Sequence, residues 1–266
     1  MVDTECKQAE YNGIRARLYE EAMTKFPLAR TQDIAVMHEL LNPQNGEKIV
    51  GIGEGNGYFC NSILDHVRPA GQYLITDPSE DQLSNLLRHV KGHNLQMQVA
   101  GAESIELVEG YFDKSWSFGA FHHCPNQTEA IKRIYAGLRK DGMMVICDVF
   151  QGSKLAEHFD SQVASYCVTG HEVKFLSEAF ARSLCYLAGF KRDRVEFIDL
   201  PIKWVFDKEK DIGQFIYKLH AMTNLPGDKK SQLEEVLRGC KEILGVNFNG
   251  SQYELNWPMK ALVAYK

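Results

Sequence analysis

From residue 48 onward the chain alternates short apolar runs with stretches in which apolar residues recur every three or four positions. That alternation is the signature of parallel strands, each followed by a covering helix. The run at 48–52 ends in glycines and leads into residues 58–67, where Phe59, Ile63, Leu64 and Val67 share one helical face. A second strand, 72–76, stops at Asp77-Pro78, and Ser79 with Gln82 forms a capping box at the head of a helix buried through Leu83, Leu86, Leu87 and Val90. Strands are predicted at 95–99 and 115–121. The next helix starts at Asn126, buries Ile131, Ile134, Tyr135 and Leu138, and ends in Arg139-Lys140, with Gly142 leading out to a strand at 143–149. One more helix at 177–189, a sixth strand at 195–199 and a closing strand at 253–265 complete the pattern. Pro258 marks an edge or a bulge in that last strand.

Two further regions are helical in period. Residues 12–26 and 31–41 precede the first strand. Residues 203–250 hold two amphipathic helices, one burying Ile212, Phe215, Ile216 and Leu219, the other Leu233, Val236, Leu237 and Cys240. The expected architecture is therefore a single-domain, doubly wound α/β fold with a mainly parallel seven-stranded sheet. Its parts are N-terminal cap helices (1–46), a ligand-binding core (47–150), a substrate-side segment with the sixth strand (151–202), a helical lid (203–250) and the closing strand (251–266).

Composition narrows the class. With 266 residues, 44% hydrophobic and 24% charged, the chain can bury one large core. A formal net charge of −5 leaves no broad electropositive surface, which argues against nucleic-acid or membrane-surface partners and for a small molecule. No uncharged apolar run approaches the ~18 residues of a membrane span. The start, Met1 to Lys7, lacks the basic and apolar stretches of a secretion signal, so a cytoplasmic location is expected. Seven cysteines without a C-x-x-C pair read as reduced thiols.

The chemistry concentrates at Gly51-Ile52-Gly53-Glu54-Gly55-Asn56-Gly57, where the first strand ends. Ligands of open α/β sheets bind at that edge, and glycines there let the backbone approach a ligand closely. Asp77 follows at the end of the second strand. A carboxylate at that place can accept both hydroxyls of a ribose, which implies an adenosine-containing cofactor. A dinucleotide fingerprint is not met, because Asn56 or Tyr58 stands where its last glycine belongs. A nicotinamide-dependent oxidoreductase is disfavoured accordingly, and neither a phosphate loop nor a nucleophile elbow occurs.

Over residues 48–150 the sequence resembles the class I S-adenosylmethionine-dependent methyltransferases, in particular their ubiquinone-biosynthesis-like small-molecule branch. The glycine run is similar to the family's first motif, and Asp77-Pro78-Ser79 to its ribose-binding second. Ala102-Glu103 stands where adenine is usually flanked. The stretch from Phe112 to His123 is similar to a fourth-strand signature ending in paired histidines, and Leu138 to Met143 to the turn before the fifth strand. The resemblance implies a Rossmann-like methyltransferase fold, S-adenosyl-L-methionine as cofactor, and contacts to it from Gly51, Gly53, Glu54, Gly55, Asp77, Pro78, Ala102, Glu103 and Phe118. Gly51 departs from the pattern, for the family usually carries an acidic residue there to hold the cofactor's ammonium. Either Glu54 or backbone carbonyls near Phe118 take that contact, or affinity falls, or the chemistry is no longer methyl transfer.

Acceptor-side candidates follow from position. His122 and His123 lie beyond the fourth strand, where an imidazole can take a proton from a nucleophile; Asp148, closing the fifth strand, and His171, in the connecting segment, are comparable. The spacing of His158, Asp160, His171 and Glu172 matches no metal motif, so no metal is expected. Tyr11, Tyr19, Phe150, Tyr166, Trp204, Phe206 and Phe215 can line an apolar pocket or serve as core, with core favoured for most, and nothing indicates an activated Cys124. The expected function is methyl transfer from S-adenosylmethionine to an oxygen, nitrogen or carbon of a small molecule. Its alternatives are a non-methylating reaction on the same cofactor, such as cyclisation, and a regulatory module. A homodimer is left open.

Overall fold

The computed structural model describes residues 10–90 and 94–266, so the N-terminal segment 1–7 and Cys6, read above as free of a secretion signal and as a reduced thiol, lie outside the described residues. The strands are β1 (Lys48–Ile52), β2 (Gln72–Asp77), β3 (Leu95–Val99), β4 (Phe112–Phe118), β5 (Leu138–Asp148), β6 (Val195–Phe206), β7 (Val246–Phe248) and β8 (Tyr253–Tyr265). They form one sheet in the order β3-β2-β1-β4-β5-β8-β6, with β7 pairing on β8. The first five are mutually parallel, and β8 runs antiparallel between β5 and β6. The chain reverses its winding between β1 and β4, and in such sheets the ligand crevice opens at the carboxyl ends of those two strands.

Both faces of the central strands are buried, and alternate residues divide between two cores. Ile49, Trp116 and Val145 pack on one face with Ile63, Leu64 and Trp204; Val50, Met144 and Ile146 pack on the other with Ile131, Ile134 and Leu184. The covering helices are α1 (Ile14–Lys25), α2 (Thr31–Leu41), α3 (Cys60–Val67), α4 (Glu80–His89), α5 (Gln127–Gly137), the short α6 (Lys154–His158) and α7 (Ala164–Tyr166), α8 (Glu178–Ala188), α9 (Glu209–Leu219) and α10 (Lys229–Ile243). Two caps predicted from sequence are formed, the Ser79 hydroxyl accepting from Gln82 N and Asn126 Oδ1 from Glu129 N, and a third, at the first residue of the predicted helix 177–189, has Ser177 Oγ accepting from Phe180 N. No helix among the described residues is long and apolar enough to cross a membrane.

The structure departs from the predicted elements where long-range pairing outweighs local signals. Arg139-Lys140 does not end α5 but lies in β5, because Leu138 pairs with Phe112 at a register shift and Arg139 Nε donates to Asp113. Gly142 is accordingly not a helix exit: its backbone is packed between Arg139 O and Asp113 O, and its carbonyl accepts from Lys266 N. β4 ends at Phe118, with a 3-10 turn over Phe121–His123. β6 runs on to Phe206, held by β8 along its whole length. Pro258 makes no bulge. It faces Pro201 in unbroken register, on a stretch of β8 whose other edge is left free between the pairings with β5 and β7.

The N-terminal helix and the insertion meet over the sheet's carboxyl edge. Lys218 Nζ donates to Glu21 Oε2 at 2.6 Å, Lys25 Nζ to Gln214 Oε1 at 2.7 Å, and the Phe26 and Phe215 rings meet edge to face at 5.8 Å.

Candidate functional site

The glycine loop is clipped to the end of β2. Gly53 N and Glu54 N both donate to Thr76 O, at 2.8 and 3.1 Å, and Thr76 Oγ1 donates back to Gly51 O. Gly53, Gly55 and Gly57 all have positive φ. At Gly53 (φ 70°) a Cβ would stand 2.5 Å from the Ala120 methyl, so only glycine allows β1 and β4 to come together here.

Asp77 is built into this loop. Its Oδ2 accepts from Gly55 N at 2.9 Å and its Oδ1 from Ser79 N at 2.8 Å. Ser79 does cap α4, as its sequence position indicates, but that does not leave the carboxylate disengaged: it tethers the glycine loop, with lone pairs beyond those two bonds. Burial pushes it up to about 6 against the pull of those two backbone donors.

Gly51 acquires a physical reason. A Cβ on it would strike the Tyr73 hydroxyl and stand 2.5 Å from Glu54 Cγ and 2.8 Å from Glu54 Cδ. The Glu54 side chain thus fills the space that a side chain at position 51 would take, and its carboxyl is buried beside Tyr73. Burial, with the nearby Asp77 charge, pushes Glu54 up to about 8. Of the remaining cofactor candidates, Ala102 and Glu103 follow β3 at the same edge, where Glu103 Oε2 accepts from Cys124 Sγ at 3.3 Å. Burial and that contact push the Cys124 thiol up to about 12, the opposite of an activated nucleophile.

On the other side of Phe118 and Gly119 lies a pocket walled by Tyr11, Tyr19, Phe159, Trp204, Trp257 and Met259, with His122, His220 and Arg30 as its polar groups. The structure unites two sequence candidates that lie far apart in the chain. His122 Nδ1 is 2.6 Å from Asp148 Oδ1, and the His122 backbone N–H donates to Asp148 Oδ2 at 2.9 Å, both residues being buried. The carboxylate fixes the tautomer that carries its proton on Nδ1, which leaves the Nε2 lone pair without a partner among the described residues. His123 and His171 stand next to it, with ring centroids 4.2 and 5.5 Å from His122. His123 Nδ1 lies 2.8 Å from Glu10 Oε2, and Arg15 donates to Glu10 and to Thr169. Burial tends to raise Glu10, but His123 and Arg15 outweigh it and hold the carboxyl at about 2.

The aromatic candidates divide. Tyr11, Tyr19 and Trp204 line the pocket, whereas Phe150, Phe206 and Phe215 are core and Tyr166 packs on the core's edge. Sequence reasoning missed Glu10, Arg15, Arg30, His220 and Trp257. Arg30 carried no motif, yet it is buried with Nε on Asp33 Oδ2 at 2.6 Å and its guanidinium over Tyr58, Phe118 and Trp204. A lone arginine between two helical periods gives no signal of that role.

Residues 49–142 match the family model described as a methyltransferase domain. The matched stretch is similar to a methyltransferase domain, and the fold around it is shared with solved S-adenosylmethionine-dependent methyltransferases. The glycine loop and Asp77 fall inside the matched range, as do His122 and His123; Asp148 and His171 fall outside it. Over 116 residues the chain is 26% identical to a tRNA U34 carboxymethyltransferase of Sulfurovum sp., covering 42% of this chain and 38% of that one. Among solved structures it is similar to a Haemonchus contortus phosphoethanolamine N-methyltransferase 2 in complex with S-adenosyl-L-methionine (TM-score 0.65, 17% identity, 94% of this chain and 56% of that one). It is also similar to the [4+2]-cyclase SpnF (TM-score 0.60, 12% identity, 94% of each chain). The chain spans between 37% and 55% of the length of the curated relatives it matches.

Proposed function

We propose that the protein transfers the methyl group of S-adenosylmethionine to a small-molecule acceptor seated in the aromatic pocket. The observation that carries this reading is Glu54 standing in the space of the missing side chain at Gly51, next to a glycine loop tethered by Asp77. A buried acidic group is thereby kept where the cofactor's ammonium is expected, and Asp77 keeps lone pairs for ribose hydroxyls. Gly51, Gly53 and Gly55 supply the backbone floor, Pro78, Ala102 and Glu103 the adenine end, and Phe118 the wall towards the methyl group.

The sulfonium is already activated, so most of the catalysis is alignment and exclusion of water, worth ~7 kcal/mol or more when the geometry is right. Tyr11, Tyr19, Arg30, His220 and Trp257 line the pocket. His122, oriented by Asp148, together with His123 and His171, governs the protonation of the acceptor. A pocket walled by aromatic rings and an acidic net charge support a small apolar-faced acceptor over a tRNA.

Cofactor affinity is expected to depend on pH with a definite sign. In the free protein Glu54 is held up at about 8 and Asp77 at about 6. Binding an ammonium favours ionised Glu54, so protons leave on binding. Affinity for S-adenosylhomocysteine then rises by about tenfold per pH unit below 8 and levels off above it. Glu54→Gln flattens the profile between 6 and 8, which calorimetry across that range reads directly. A wild-type profile that falls with pH contradicts the assignment of Glu54.

The reaction itself is tested with S-adenosylmethionine labelled in its methyl group, offered with small aromatic and heteroatom acceptors and separately with tRNA. Label appearing in a small acceptor with stoichiometric S-adenosylhomocysteine supports the reading. Label entering tRNA only, or cofactor bound without any transfer while an acceptor is rearranged, replaces it by a nucleic-acid methyltransferase or a cyclase.

A further inference from the structure

The three histidines on the acceptor side share a feature that proton handling by one imidazole does not use. Their ligand atoms lie within 4.8 Å of one another, and the His123 and His171 centroids are 5.1 Å apart. We propose that His122, His123 and His171 form a three-imidazole site for a divalent transition-metal ion, open towards the acceptor pocket. Tetrahedral ligands at ~2.05 Å from an ion stand ~3.3 Å apart, so the rings draw in when it enters.

Two observations support the site. First, both nitrogens of His171 and Nε2 of His122 are buried without a hydrogen-bond partner among the described residues. Such orphans cost stability in the absence of a ligand, and a cation that takes their lone pairs removes the cost. Second, carboxylates stand behind two of the three rings, Asp148 on His122 Nδ1 and Glu10 beside His123 Nδ1. A carboxylate on the far nitrogen is how proteins orient metal-binding imidazoles and raise their basicity.

The donor set selects the ion. Three neutral imidazoles suit zinc and its neighbours, whereas calcium and magnesium prefer oxygen. Three protein ligands leave a fourth position open, the arrangement of catalytic rather than structural zinc sites. Because His122 also lines the pocket, that position faces the acceptor, and this last step rests on the proposed function. The sequence spacing concealed the site: two ligands are adjacent beyond β4 and the third comes from the segment after β5.

The test uses the full chain, stripped of metal and titrated calorimetrically with Zn2+, with Co2+ as an optical probe. The expected result is one ion per chain, with cobalt d–d bands of nitrogen ligation and no thiolate charge-transfer band. His171→Ala abolishes this binding, Asp148→Asn weakens it by roughly 10–100-fold, and His66→Ala, on an exposed face of α3, leaves it unchanged. The thermal shift given by S-adenosylhomocysteine persists in His171→Ala, which shows that the variant is folded. No binding by the wild type, undiminished binding by His171→Ala, or a thiolate band from one of the buried cysteines overturns the site. Loss of S-adenosylhomocysteine binding by the wild type, with His171-dependent zinc binding intact, overturns the methyl-transfer reading and supports the metal site.

Discussion

Asp77→Ala abolishes the thermal stabilisation that S-adenosylhomocysteine gives the wild-type chain. At a ligand concentration of 100 times Kd that stabilisation amounts to about 2.7 kcal/mol in the wild type, so its loss is measurable in a melting curve. The effect has two sources. The carboxylate's open lone pairs are lost to the ribose, and its bonds to Gly55 N and Ser79 N are lost to the protein. Each buried N–H left without a partner costs ~1–3 kcal/mol, so the ligand-free melting temperature also falls. Asp77→Asn separates the two contributions. Its amide oxygen retains one of the backbone bonds and so recovers part of the intrinsic stability, but its NH2 presents a donor where the ribose needs an acceptor. A ligand-induced shift of wild-type size in Asp77→Asn means that Asp77 serves the loop alone and the cofactor lies elsewhere.

Asp33→Ala destabilises the fold by about 3–5 kcal/mol. Asp33 is fully buried and holds two partners, Arg30 Nε at 2.6 Å and Trp204 Nε1 at 2.9 Å. Removing it strands the Arg30 guanidinium among Tyr58, Phe118 and Trp204, with only the Tyr19 hydroxyl and the Met23 sulfur, among the described residues, left to accept its protons. Burial alone tends to raise the Asp33 carboxyl, and the Arg30 charge opposes that rise, so each partner makes the other's burial tolerable. The exposed Arg238–Glu242 pair on α10 provides the contrast, with side chains 55% and 58% exposed and a far smaller expected cost on removal. Urea midpoints of the two variants compare the effects directly. A loss below ~1 kcal/mol for Asp33→Ala shows that water reaches Arg30 and that the pocket wall is open.

The legible parts of this protein were those governed by neighbours in the chain. Ser79 with Gln82 and Asn126 with Glu129 announced two helix starts, because a cap and its partner lie within one turn. The glycine run announced the tight loop after β1, since only glycine lets the chain pass Ala120 at Gly53. Arg139-Lys140 misled for the converse reason. Their helix-ending character is a weak local preference, and pairing of Leu138 with Phe112 and of Gly142 with Lys266 overrode it. β7 went unread, being three residues long with no period to detect.

Within the site the same division holds. Glycines, Asp77 and the paired histidines could be singled out from their order along the chain, because the end of a strand is also an end in the sequence. Which partners they meet could not. Glu54 turning back over Gly51, His122 resting on Asp148, and Arg30 closed in by Asp33 and Trp204 join positions whose nearness is created only when helices and strands pack. Local alternation of apolar and polar residues determined the α/β architecture and the edge at which the candidate site lies. Long-range packing decided which charges are buried together there, because the energy of a buried charge depends on what stands across from it, and a linear pattern does not contain that neighbour.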